Sequence, residues 1–94
     1  MRWTTQANRD LRAALSYYGG ESWDSAQEFL DQLSVVYERI ETMPASGHPY
    51  LDGSRRILVP GFPFSVVYRL GGGEAAILAI AHGSRRPGYW LERE

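Results

Sequence analysis

Pro44 divides this chain into two stretches whose apolar residues repeat at different intervals, and that change of period constrains the fold more than any other feature. Before it, Ala7, Leu11, Ala14, Leu15 and Tyr18 recur mostly at three- and four-residue steps, as do Ala26, Phe29, Leu30, Leu33, Tyr37 and Ile40. Each set forms one apolar face of an α-helix. After it, Phe64, Val66, Tyr68 and Leu70 alternate with Ser65, Val67 and Arg69, which is the period of a strand. Two helices followed by strands predict an α+β fold, with the helices packed on one face of a largely antiparallel sheet.

Punctuation residues set the expected boundaries. Trp3-Thr4-Thr5 reads as a short opening strand, with Thr5 capping the first helix through its side-chain oxygen. Gly19-Gly20 is expected to close that helix, Ser22 or Asp24 to open the second, and Pro44 to stop it. A connection of about three residues makes the pair an antiparallel hairpin. Glu28, Asp31, Glu38 and Glu41 fall mostly on other faces of the second helix and read as a solvated surface. Ala45 to Gly53 is turn-rich and reads as loop. Arg56 to Val59 is a predicted strand, Pro60-Gly61 a turn, and Gly71-Gly72-Gly73 a hairpin loop. A phosphate-binding loop would need a helix after its glycines, and here a strand follows. Glu74 to Ala81 is almost wholly apolar, the mark of a central strand covered on both sides. The predicted order is β-α-α-β-β-β: an N-terminal strand, a helical hairpin, a three-stranded antiparallel meander and a short tail, forming one domain over residues 1–94.

Composition narrows the chemistry. There is no cysteine, which excludes disulfides and fits a cytoplasmic location. No apolar run approaches the roughly 18–20 residues of a membrane span, and Met1-Arg2-Trp3 opens no secretory leader. His48 and His82 lie far apart with no carboxylate at ligand spacing, so neither a metal nor another cofactor is expected. No Gly-x-Ser-x-Gly elbow marks a serine nucleophile. The net charge of −1 conceals an imbalance: residues 1–54 hold four arginines against eight acids, whereas residues 55–94 hold six arginines against three. Every basic residue apart from the histidines is arginine. Arginine grips carboxylates and phosphates with a planar fork of donors, but it is a poor proton shuttle. An arginine excess in the later part points to an acidic or polyanionic partner there.

Those arginines gather around the closing segment, His82-Gly83-Ser84-Arg85-Arg86-Pro87-Gly88-Tyr89-Trp90. Adjacent Arg85 and Arg86 cannot both point inward, so one of them is available as an anion clamp. His82, at a strand end, is expected to tie down the loop by a hydrogen bond. Trp90 is expected to cover the core, and Tyr89 to stack on a ligand or cover the core. Arg55, Arg56 and Arg69 lie on preceding strands and could widen the positive surface.

At nearly its full length the chain resembles the RelE/ParE superfamily of bacterial toxins, particularly its ParE-like plasmid-stabilization branch. Ala7, Asp10-Leu11 and Tyr17-Tyr18 look like that branch's first helix, and Ala26, Phe29, Leu33, Ile40, Met43-Pro44 and Gly47 like its second helix and exit loop. Arg55-Arg56 followed by Phe62-Pro63-Phe64-Ser65-Val66-Val67-Tyr68-Arg69 is similar to its strand pair. Ala81-His82, Arg85-Arg86-Pro87 and Tyr89-Trp90 resemble its closing motif, although the proline here follows the arginines directly.

The resemblance implies the toxin of a type II toxin-antitoxin system, a growth-arresting protein neutralised by direct binding of an antitoxin from an adjacent gene. Target-binding residues would be Arg55, Arg56, Arg69, Arg85, Arg86, Tyr89 and Trp90. ParE-like members poison DNA gyrase, whereas RelE-like members cleave messenger RNA on the ribosome. Metal-free cleavage must deprotonate a 2′-hydroxyl and protonate a leaving oxygen. RelE-like enzymes resemble one another in supplying this with lysines, sheet arginines and a C-terminal tyrosine. This chain has no lysine, and Ser65 stands where the ribonucleases carry an arginine. Arg56, His82, Arg85 and Tyr89 remain as a catalytic set if it is a ribonuclease. The balance favours gyrase, with the ribonuclease and a non-toxic interaction module as alternatives. An acidic, amphipathic antitoxin segment would suit the arginine surface and give a hetero-oligomer, with any DNA contacted through the antitoxin.

Overall fold

Thr4 finishes one element and starts the next. In the computed structural model, which describes residues 1–91, β1 is Arg2–Trp3 and pairs in parallel with β5, Glu74–His82. Glu92, Arg93 and Glu94, counted in the charge balance above, lie outside the described residues. The Thr4 N–H donates to the Ile77 carbonyl at 3.1 Å, and Thr4 Oγ1 accepts from the Ala7 N–H at 3.1 Å. Thr4, not Thr5, therefore caps α1, Thr5–Glu21. The pairing of Trp3 with Ile77 ends the strand one residue early and leaves Thr4 with the extended backbone that an N-cap requires.

The helical hairpin is tighter than its sequence suggests. Gly19-Gly20 does not stop α1, which continues to Glu21, and Ser22 alone joins it to α2, Trp23–Thr42. The Ser22 N–H donates to the Tyr18 carbonyl at 3.0 Å, while its Oγ accepts from the Ser25 N–H at 3.0 Å. One extended residue thus closes the first helix and opens the second. Each helical glycine costs about 1 kcal/mol relative to alanine. Opposing this, Tyr18 is anchored among the rings of Phe29, Phe62 and Phe64 with centroids 5.0–6.2 Å away. Along α2 the buried stripe is Phe29, Leu33, Val36 and Ile40, with Leu30 and Tyr37 on its half-buried flanks.

The segment expected to be loop contains a strand. β2, His48–Pro49, pairs antiparallel with β3, Arg55–Leu58, and short 3-10 turns at Pro44–Ser46 and Leu51–Gly53 flank it. A two-residue strand at a sheet edge tolerates proline, which the sequence pattern registers only as a turn signal. β4, Phe64–Gly71, reaches β5 through Gly72-Gly73, whose φ values of +60° and +77° fit a two-residue hairpin turn. The sheet order is β1-β5-β4-β3-β2, antiparallel except at β1 and β5.

A bulge in β5 sets which side chains face the helices. Val67 pairs with Ala79 and Tyr68 with Ile77, so Leu78 has no partner on β4. Ile77 and Ile80 can both turn to the helices, three residues apart, joining Val66, Tyr68, Phe29 and Leu33 in the core. On the open face, Val67 and Ala79 are covered by Trp90, only 6% exposed, from the turn Tyr89–Leu91. The middle of β5 is covered on both sides, as its apolar run implies.

Candidate functional site

Alternation along the strands divides the arginines between the two faces. Arg55, opposite Tyr68, lies on the helix side, and its Nη1 donates to the carbonyls of Ala45 and Gly47 at 3.0 and 2.9 Å. Arg69 lies on the open face but is turned to the 51–53 turn. Its Nη2 meets the carbonyl and the carboxylate of Asp52, both at 2.9 Å. These two guanidiniums are engaged by the loop that leads into β3.

The other predicted residues surround one small cleft at the C-terminal end of β5, of about 100 Å³. Tyr50, Arg56, Arg85, Arg86 and Tyr89 line it, with Ser65 and Val67 from β4 and Trp90. Arg56 and Arg85 each rest on a tyrosine. The Arg56 guanidinium carbon is 4.4 Å from the Tyr50 ring centroid, and that of Arg85 is 4.1 Å from the Tyr89 centroid. Such contacts hold a long cationic side chain without neutralising its charge. Tyr50 was not among the residues that the sequence singles out. Its one signal there is an aromatic residue within a turn-rich stretch.

His82 also lines this cleft. It sits opposite Phe64 on the helix side, and the two rings meet edge to face at 5.0 Å. Its Nδ1 accepts the Ser84 N–H at 3.0 Å and lies 2.7 Å from Ser84 Oγ. In the neutral ring the proton is then on Nε2. This is the loop-fastening role expected for a histidine leaving a strand.

Arg85 and Tyr89 also border a second groove, of about 470 Å³, between α1 and the outer edge of β5. Asp10, Tyr17 and Glu21 line its helix wall, while Phe64, Ile80 and His82 contribute on the sheet side. Past its pairing with β1, β5 presents this edge outward, and Asp10 Oδ2 accepts the Ile80 N–H at 2.9 Å. Burial, with smaller contributions from Tyr17 and Glu21, pushes the phenol of Tyr18 beside this groove above its ordinary range.

A family model described as ParE toxin of type II toxin-antitoxin system, parDE, matches residues 1–87. The chain belongs to the ParE toxin family. Among solved structures, a chain of the chromosomal ParDE toxin-antitoxin system from P. aeruginosa is similar to this toxin, with a TM-score of 0.76 and 25% sequence identity. That likeness covers 86% of this chain and 91% of the other. No curated protein matches the sequence. The β-α-α-β order with its antiparallel meander is thus that of a ParE-like fold. As a type II toxin it is one half of a pair whose other half is an antitoxin. Tyr89 and Trp90 lie beyond the residues that the family model matches. Among the described residues, no helix is long and apolar enough to cross a membrane.

Proposed function

We propose that this toxin arrests bacterial growth from the cytoplasm by binding DNA gyrase through the cleft of Arg56, Arg85, Arg86 and Tyr89. Its antitoxin, encoded by an adjacent gene, neutralises it by covering the same surface with an acidic segment. The observation that carries this reading is the pair of guanidiniums, Arg56 and Arg85, each held on a tyrosine ring at the cleft. RNA cleavage needs a base for the 2′-hydroxyl and an acid for the leaving oxygen, and arginines supply neither readily. The one imidazole that borders the cleft, His82, packs its ring against Phe64, and its Nδ1 already accepts from Ser84. The guanidiniums on tyrosine rings at the cleft are suited to gripping acidic groups on another macromolecule.

The test is a supercoiling assay with purified toxin and gyrase. Inhibition with accumulation of gyrase-bound cleaved DNA is expected, and Arg56→Ala with Arg85→Ala should remove it. Unimpaired supercoiling at stoichiometric excess of toxin would refute the gyrase reading. Site-specific cuts in messages on induction, lost with Arg85→Ala and Tyr89→Phe, would establish the ribonuclease in its place. Unchanged growth on induction without the antitoxin would leave only an interaction module.

A further inference from the structure

Three neighbouring arginines have divided tasks. Arg55 fastens the α2–β3 loop at Ala45 and Gly47 on the helix side of the sheet, and Arg69 fastens it at Asp52 on the open face. Tyr50 lies between those anchor points, and its N–H donates to the Ser54 carbonyl at 2.8 Å. The loop is thereby held on both sides of one aromatic ring. That ring lies under the Arg56 guanidinium at 4.4 Å and beside Trp90, whose ring centroid is 6.3 Å away. Trp90 is itself fixed over Val67 and Ala79. Arg56 is exposed, and without the ring its long side chain would be free to sample many rotamers over open solvent.

We propose that Tyr50 is a positioning residue. Its ring holds the Arg56 guanidinium at the cleft that the Arg85–Tyr89 pair also lines, so that two cations are already in place for acidic groups of the target. The arrangement lowers the ordering cost of binding, because the guanidinium is placed before the partner arrives. This inference rests on the reading of the cleft as the target-binding surface, and the experiment separates the two.

The variants are Tyr50→Leu, Tyr50→Phe, Arg56→Ala and the Tyr50→Leu/Arg56→Ala double variant, in the full chain. The physical readout is the NMR shift of the Arg56 side-chain protons, moved upfield by the ring below them. They should remain upfield in Tyr50→Phe and relax to ordinary values in Tyr50→Leu, with thermal unfolding confirming that each variant is folded. The functional readout is the toxin level that halves growth. Tyr50→Leu should raise it roughly 2- to 5-fold, the scale of one exposed cation–π contact. Tyr50→Phe should match the wild type, and Tyr50→Leu should add nothing once Arg56 is alanine. Unshifted Arg56 protons in the wild type, undiminished arrest by Tyr50→Leu, or a further loss in the Arg56→Ala background would overturn the proposal. Growth arrest with gyrase unaffected would refute the target alone, and the tyrosine comparison would still decide on arrest. Undiminished arrest by Arg56→Ala would refute the cleft as the binding surface and the positioning role with it.

Discussion

The hydroxyl of Tyr68 accepts the N–H of Gly47 at 3.0 Å and donates to the carbonyl of Pro44 at 2.7 Å, pinning the exit of α2 to the middle of the sheet. Tyr68 is fully buried and Gly47 is buried too, so the Gly47 N–H has no ready replacement for this bond. Tyr68→Phe orphans a buried donor and is expected to cost about 1–3 kcal/mol. Gly47→Ala should cost more. Its new methyl would fall within contact of the Tyr68 hydroxyl and within 2.8–2.9 Å of two ring carbons, in a core where the ring has nowhere to go. In a domain of this size each kcal/mol lowers Tm by about 4–8 °C, so thermal unfolding should rank the two variants.

The outer edge of β5 depends on a helix for one of its hydrogen bonds. Asp10→Ala removes the acceptor of the Ile80 N–H, with an expected loss of about 1–3 kcal/mol, whereas Asp10→Asn keeps an acceptor and should lose less. Amide exchange offers the local readout. The Ile80 amide should exchange faster in Asp10→Ala than in the wild type or in Asp10→Asn. Equal protection in all three would show that the carboxylate is not what shields this edge.

Ser22→Ala strips the cap from α2 and should lower stability by about 0.5–2 kcal/mol, measured by urea denaturation. Ser22→Gly should cost much less than a full kcal/mol if backbone freedom rather than chain length is what the junction needs. A larger penalty for glycine than for alanine would reverse that argument.

Tyr37 gives a pH prediction with a definite sign. Its phenolic oxygen is buried without a hydrogen-bond partner among the described residues, and its ring meets Trp3 edge to face at 4.9 Å. Burial pushes its pKa well above the ordinary tyrosine value. A raised folded-state pKa means that the native protein holds this proton more tightly than the unfolded chain. The contribution is fully present below about pH 10, where an unfolded tyrosine ionises, and is lost as pH climbs toward the folded value. Stability should therefore fall with rising pH above about 10, and Tyr37→Phe should flatten that fall. At neutral pH the same substitution should be neutral or slightly stabilising, because it removes a buried hydroxyl that bonds to none of the described residues. Urea denaturation of both proteins at pH 7 and at about pH 11 checks both statements.

Much of this architecture was legible because burial imposes its period on the sequence. The faces Phe29–Leu33–Ile40 and Phe64–Val66–Tyr68 could be read directly, and both enter the core. Boundaries were less legible where tertiary contacts decided them. Thr4 replaced Thr5 as the cap because β1 ends against Ile77, and Gly19-Gly20 stayed helical because Ser22 could serve both helices. β2 was hidden by its proline, and the Leu78 bulge leaves no local mark in a uniformly apolar strand. At the candidate site, Arg85, Arg86, Tyr89 and Trp90 are near one another along the chain, whereas Arg56 reaches the cleft from β3 across β4, a placement that sequence order alone does not give. The engagement of Arg55 and Arg69 by loop carbonyls could not be foreseen, since it depends on which way each strand faces and where the loop returns. Tyr50 was invisible for the same reason.

The single residue between the helices has a bearing on how this toxin can be recognised. With only Ser22 as an elbow, the two helices have no slack to scissor apart without unwinding a turn, so the hairpin meets any partner as a preformed, stiff paddle. Accommodation during complex formation must then come from elsewhere than the hairpin, and a binder selected against the hairpin face should recognise the antitoxin-free and antitoxin-bound toxin alike wherever that face is left uncovered.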